Sequence, residues 1–238
     1  MLTTLSIFTL RPGFGPARWA LAQMATAPAQ LRTVPGLHFS QLLGSGAANG
    51  FGFWPNWRRY GLVATWADAA AAEHFFATNA WWAAYQARST EAWTAFLAPL
   101  QGHGAWDGRN PFAEGEAPRA ASDGLATGPV AVLTRASIRL GRAARFWRYV
   151  EPTSRAVAGA PGLRLAIGLG ELPLVRQATF SIWDSAAAMQ AYAYRHAAHR
   201  EVVQLTRREG WYSEELFERF AVLSSRGTVD GREIVTND

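Results

Sequence analysis

The chain has 238 residues, a formal charge of +5 and no cysteine. Without a thiol there is no disulfide, no Cys-ligated zinc or iron–sulfur cluster and no thiolate haem ligand. Half of the residues are apolar and 17% are charged, which suits a large core, yet no apolar run approaches the ~20 residues of a spanning helix. The basic residues form no block and no nucleic-acid-binding motif, so nucleic acid is not an expected partner. An arginine-rich balance suits carboxylate ligands and anionic surfaces instead. The start, MLTTLSIFTLRPGF, alternates like a strand and lacks a charged n-region, so a cytoplasmic address is expected. Eleven tryptophans suit a large apolar ligand cavity as well as a core.

In chain order, Thr3 to Leu10 reads as a strand, and Pro16 opens a helix through Met24 that ends at Pro35-Gly36. Leu37 to Leu43 and Tyr60 to Trp66 read as strands. Asp68 caps a long helical region, Ala69 to Leu97, with Asn79 as a break. Gly102 to Gly128 reads as a short strand and a linker rich in Gly, Pro, Asp and Asn. The order then recurs: a strand from Val130 to Ile138, a helix from Ala143 to Val157 interrupted at Pro152, and strands from Leu163 to Leu169 and Ala178 to Trp183. A long helical region from Asp184 to Phe220 follows, and Ala221 to Ser225 closes the series. Val34-Pro35-Gly36-Leu37 repeats as Ala160-Pro161-Gly162-Leu163, and Thr65-Trp66 as Ile182-Trp183. Each copy reads β-α-β-β-α-β, so the expected fold is α+β, a duplicated ferredoxin-like fold of the dimeric α+β-barrel type. The two sheets are expected to pair face to face. Residues 1–110 form the first repeat, 111–128 a linker, 129–230 the second repeat and 231–238 a tail.

The stretch from Asp184 to Phe220 holds His196 and His199, one helical turn apart, among Arg195, Arg200, Arg207 and Arg208. Imidazole is a common metal ligand and arginine forks suit carboxylates. One histidine near several arginines matches a haem, which takes an axial ligand and partners for its propionates. The plainer reading is a surface helix with solvated charges. A His-x-x-His pair also suits zinc, but no third ligand of suitable spacing follows. Carried forward at the offset of Trp66 to Trp183, the repeat sets Trp82 against His199, Phe76 against Ala193 and Trp93 against Gly210. A tryptophan replaced by histidine leaves room for a ligand in the second copy. His38 reads as structural, His74 as a core or interface residue and His103 as a loop residue. The Gly44-Ser45-Gly46 loop lacks the Lys-Ser/Thr of a phosphate loop and opens onto no helix.

Seven stretches carry a resemblance: LSIFTLRP near the start; WALAQM; PGLHFSQLLGSG with NGFGFWPNW; VATWAD; AAMQAYAYRHAAHREVV; and GWYSEELFERF. Together they resemble the spheroidene monooxygenase family, the carotenoid 2-ketolases of purple phototrophic bacteria. The resemblance implies a haem b enzyme that uses O₂ and electrons from a ferredoxin. Its reaction would be oxidation at C2 of an acyclic carotenoid by two successive hydroxylations and loss of water. It favours His199 as the axial iron ligand, with His196 as the rival; proximity to the histidines favours Arg195 and Arg200, and Arg207 less so, as propionate partners. A carotenoid substrate also implies peripheral contact with a membrane, for which the Phe51 to Arg59 loop is the candidate. The competing readings are another His-ligated haem enzyme of ferredoxin-like fold, such as an aldoxime dehydratase or a peroxide-using enzyme, and a haem-free protein that binds an apolar ligand. Oligomeric state is left open.

Overall fold

The computed structural model describes residues 1–47, 52, 54–113, 128–172, 174–195, 205–206 and 208–235, apart from the side chains of 150–156, 158 and 194–195. In the first half, β1 (Leu2–Leu10) leads to α1 (Phe14–Leu31), β2 (Leu37–Gly46) and β3 (Pro55–Trp66). Then come α2 (Ala69–Thr78), α3 (Ala80–Arg88) and β4 (Ser89–Gly104). The second half repeats this with β5 (Val130–Ile138), α4 (Ala143–Ala158), β6 (Leu163–Leu172), β7 (Arg176–Trp183), α5 (Ala186–Arg195) and β8 (Tyr212–Gly227). The helix stop signals act as their chemistry dictates. The Asp68 carboxylate accepts from Ala71 N at 2.8 Å, and Asn79 ends α2 while accepting from Trp81 N and Trp82 N to start α3.

The strands close into one antiparallel barrel in the order β1-β3-β2-β6-β7-β5-β8-β4. Each half contributes a four-stranded ferredoxin-like sheet, so the sheets join edge to edge rather than face to face. One seam is short, Gly44 with Gly170 and Ser45 with Leu169. The other is long, from Trp93 with Gly227 to Gly104 with Leu216. Side chains alternate across each strand. Leu5, Ile7, Val63, Trp93, Leu133, Phe180 and Phe220 fill the interior, which is a packed core and not a lumen.

Two helical assignments from the sequence become strands. β4 begins at Ser89, where the pattern reads as helix to Leu97, and β8 begins at Tyr212, where it reads as helix to Phe220. The reason is the spacing. Leu216 and Phe220 lie four apart, which places them on one side of a helix and equally on one side of a strand. In the structure both face the barrel core, while Phe217 between them faces the helix side. His103 accordingly lies on β4 and not in a loop, and His74 is exposed on α2 and not in the core. α4 runs through Pro152 without interruption.

Matching turns close the barrel ends. In the turn after β4, Asp107 N and Gly108 N donate to the Glu214 carboxylate at 3.0 and 2.8 Å. In the turn after β8, Asp230 N and Gly231 N donate to Glu91 at 3.2 and 2.7 Å. Arg135, whose side chain is fully buried, bonds Glu171 at 2.9 Å and Glu214. Burial disfavours the Arg135 charge, but these carboxylates outweigh it and hold its pKa above the ordinary value. Burial also acts against the Glu214 charge. The two turn N–H groups and Arg135 nonetheless hold its carboxyl below the usual range.

Candidate ligand site on the second sheet

The pseudo-repeat lets the two sheets be compared position by position. Leu2 stands opposite Trp66 as Val130 stands opposite Trp183. From that register Phe8 corresponds to Ala136, Leu62 to Thr179, Tyr60 to Gln177 and Leu42 to Gly168. In the first half these residues face the helices and are buried, with Phe75, Trp82 and Tyr85 packed over them. Phe8 lies 5.2 Å from the Trp82 ring and 4.5 Å from Tyr85, centroid to centroid. In the second half the same layer has small or polar floor residues. Among the described residues its buried apolar cluster is Val130, Val132 and Trp183, with partly buried residues such as Met189, Tyr192 and Phe217 around it. Thr134, Ala136, Gln177 and Thr179 are only partly buried.

The middle row of this floor is His103, Phe217, Thr134, Thr179 and Gly168, each hydrogen-bond-paired through its strand with the next. At a strand spacing of about 4.8 Å the row is roughly 19 Å wide. Its outermost member comes from the other half of the chain. β4 runs past the first sheet and sets His103 beside Phe217, with ring centroids 5.4 Å apart and planes at 21°. The next row carries Arg219, which donates to the Gln101 side chain at 3.2 Å. The sequence gives no local signal for His103, because its place depends on the long β4–β8 seam.

The walls are helical. In α4, Trp147 Nε1 donates to the Leu174 carbonyl at 3.1 Å, tying the helix to the β6–β7 turn. Phe146 and Tyr149 meet Trp211 at 6.2 and 5.6 Å. Glu209 bonds Trp211 Nε1 at 2.8 Å and Arg145 at 2.6 Å, and these two partners, Trp211 first, lower its pKa. α5 is docked at its start. Gly162, at φ 79°, lies so close that a Cβ there would stand 2.6 Å from Ala188 Cβ. Tyr192 packs on Trp183 at 5.3 Å, and burial raises its pKa to about 12.

α5 ends at Arg195, whose side chain is not among those described. His196, His199, Arg200 and Arg207 lie outside the described residues. The structure does bear on the repeat register. Ser185 caps α5 at Ala188 N as Asp68 caps α2 at Ala71 N, so the offset of Trp66 to Trp183 holds there. By β8 it has changed: Trp93 corresponds to Leu216, not to Gly210. The second copy therefore carries extra residues between Arg195 and Tyr212, in the stretch that holds both histidines. Counted forward from α5, Trp82 meets His199; counted back from β8, it meets the buried Leu205. Among the described residues no cluster of three His, Asp or Glu is placed to hold a metal, and no helix is long and apolar enough to cross a membrane.

Two fused ferredoxin-like halves define a single-chain α+β-barrel protein, and among the described residues the helix-side layer of the second sheet is less buried than that of the first. Aldoxime dehydratase has this fold: its crystal structure superposes with a TM-score of 0.63 at 11% identity, covering 93% of this chain and 81% of that one. No family model matches the sequence. Whole-chain relatives are closer. Spheroidene monooxygenase of Rubrivivax gelatinosus is 39% identical over 214 residues, 90% of this chain and 80% of the relative. That of Rhodobacter capsulatus is 34% identical over 232 residues, 98% of this chain and 94% of the relative. The chain belongs to the spheroidene monooxygenase family.

Proposed function

We propose that this protein is a haem-dependent carotenoid monooxygenase, with cofactor and polyene lying over the outer face of the second sheet. The observation that carries the reading is the exchange of Phe8, Leu62, Tyr60 and Leu42 for Ala136, Thr179, Gln177 and Gly168 in the same layer of the same fold. An apolar layer is stripped only at a cost in packing, so a ligand that refills it is the natural compensation. The names of the relatives supply the substrate class, an acyclic carotenoid of the spheroidene type. A flat, apolar macrocycle suits a wide floor of small residues.

Bound haem would supply the activation of O₂. His199 would hold the iron through a ring nitrogen, with His196 its rival, and a partner for the other ring N–H would fix the tautomer. Arg195, Arg200 and Arg207 are assigned the propionates, where charge-assisted bonds are strong. Phe146, Trp147 and Tyr149 would offer a polyene an aromatic wall. Polar groups on the floor include the Thr134 and Thr179 hydroxyls, the Gln177 amide and the His103 imidazole, which are able to hold a water or pass a proton there. The proposed reaction replaces two C–H bonds at C2 in succession. Each round takes one O₂, two protons from solvent and two electrons from a ferredoxin, places one oxygen on carbon and releases the other as water. The geminal diol then loses water to leave a ketone.

The test is the absorption spectrum of protein purified with haem supplied, followed by carotenoid analysis in a producing host. A Soret band and a 2-keto product that needs both O₂ and reductant are expected. His199→Ala is expected to lose the band and His196→Ala to keep it. The reverse pattern would transfer the assignment to His196, and normal spectra in both would remove this helix from the site. A wild-type protein that takes up no haem would refute the reading.

A further inference from the structure

α1 is an unusual surface helix. Arg18 is its one charged residue in eighteen, and its buried residues are Ala20, Ala27 and Leu31. Phe14, Arg18 and Leu21 lie at i, i+4 and i+7 and share one face. That face is outward: Phe14 is 82% and Leu21 51% exposed. A helix of ~27 Å with an apolar, nearly uncharged outer face normally meets something other than water.

A second element reaches the same end of the first sheet. Arg58 Nε donates to the Leu10 carbonyl at 2.9 Å, which fixes the start of β3 beside the β1–α1 junction. Trp54 and Trp57, 74% and 54% exposed, stand in this segment, and Arg11 and Arg58 are exposed beside them. The first acidic residue in the chain is Asp68, beyond the opposite end of β3. The two acids that β4 and the last turn bring to this end are engaged. Asp230 is paired with Arg59, and Glu91 accepts from Thr228 Oγ1, Asp230 N and Gly231 N. Among the described residues the face therefore combines exposed Phe, Trp and Leu with arginines, and the nearby Asp230 and Glu91 are already engaged.

We infer that this face, Phe14, Arg18 and Leu21 of α1 with Trp54, Trp57 and Arg58 of the β2–β3 hairpin, docks on an anionic lipid bilayer. Aromatic rings at headgroup depth with arginines alongside are the composition of an interfacial surface. A second copy of the chain is the poorer occupant. A two-fold contact through this face would set Arg11, Arg18 and Arg58 against their own copies, while among the described residues Asp230 and Glu91 are already engaged. The placement also serves the site. The root of the same hairpin is bonded to the floor of the second sheet, Ser45 Oγ donating to the Gly168 carbonyl at 2.9 Å. Docking would hold that edge of the floor toward the lipid in which an apolar substrate dissolves.

The test is flotation of the whole chain, purified with haem supplied, with phosphatidylglycerol vesicles and with phosphatidylcholine vesicles. Binding to the anionic vesicles at low salt is expected, and at least about tenfold less to the zwitterionic ones or at high salt. Arg18→Glu and the pair Phe14→Ser with Trp57→Ser should each lower binding about tenfold or more while keeping wild-type cooperative unfolding. No flotation with phosphatidylglycerol, or unchanged flotation in both variants, would overturn the inference. So would a sedimenting dimer that Phe14→Ser dissociates. The chemistry is scored separately, because the same variants should convert detergent-dispersed carotenoid at the wild-type rate.

Discussion

Enlarging the small floor residues of the second sheet tests the proposed site without touching either histidine. Thr179→Leu and Ala136→Phe restore the residues that Leu62 and Phe8 provide in the first sheet. If the layer is open in the haem-free chain, the added side chains gain apolar burial. Full burial is worth about 1.5–3 kcal/mol for each, and partial cover about half of that. At about 2–4 °C per kcal/mol for a chain of this size, the haem-free double variant should melt a few degrees higher or at the wild-type temperature. If the layer is already close-packed, overpacking costs about 1–3 kcal/mol and the melting temperature falls. Haem titration followed at the Soret band, beside thermal unfolding by circular dichroism, reads both. The expected result is loss of haem uptake with stability kept. The mirror variant Phe8→Ala should cost about 3–5 kcal/mol and leave haem affinity near wild type under conditions where it is folded. Haem uptake unchanged in the double variant, or a steep loss of stability, would refute the placement.

Two further outcomes follow from the barrel. Gly102→Ala should destabilise the fold, because a Cβ there would stand 1.7 Å from a Glu218 carboxylate oxygen and 2.7 Å from the Phe217 carbonyl oxygen. A loss of about 1–3 kcal/mol in urea unfolding is expected, and a neutral result would contradict the close β4–β8 approach. Glu214, whose folded pKa is depressed, contributes stability that is fully present above its unfolded value near 4.3 and is lost as pH falls through the folded pKa. Urea unfolding of wild type and Glu214→Gln from about pH 6 to pH 2 should therefore converge on acidification. Parallel curves would rule out that carboxylate as a source of the pH dependence.

The sequence by itself determined what local chemistry controls. Asp68 and Asn79 cap helices because a short oxygen-bearing side chain reaches the next turn's N–H groups whatever the rest of the chain does. The Pro-Gly-Leu repeat marks equivalent turns, and the close contacts of Gly36 with Ala71 and of Gly162 with Ala188 explain its glycines: at φ 73° and 79° a Cβ would stand 2.6 Å from the alanine methyl. Cysteine content excluded thiolate chemistry outright. The histidine and arginine cluster was legible as letters, and its role rests on the haem experiment. Tertiary structure decided the rest. Whether Leu216 and Phe220 belong to a helix or a strand is undetermined at a spacing of four, and pairing with β4 and β5 settles it. His103 joins the floor only because β4 continues across the seam into the second half. The exchange of floor residues could not be seen by reading along the chain, since Thr179 and Ala136 are ordinary strand residues. They stand out only once hydrogen-bond register sets them against Leu62 and Phe8, and register is a property of strands brought together from distant parts of the chain.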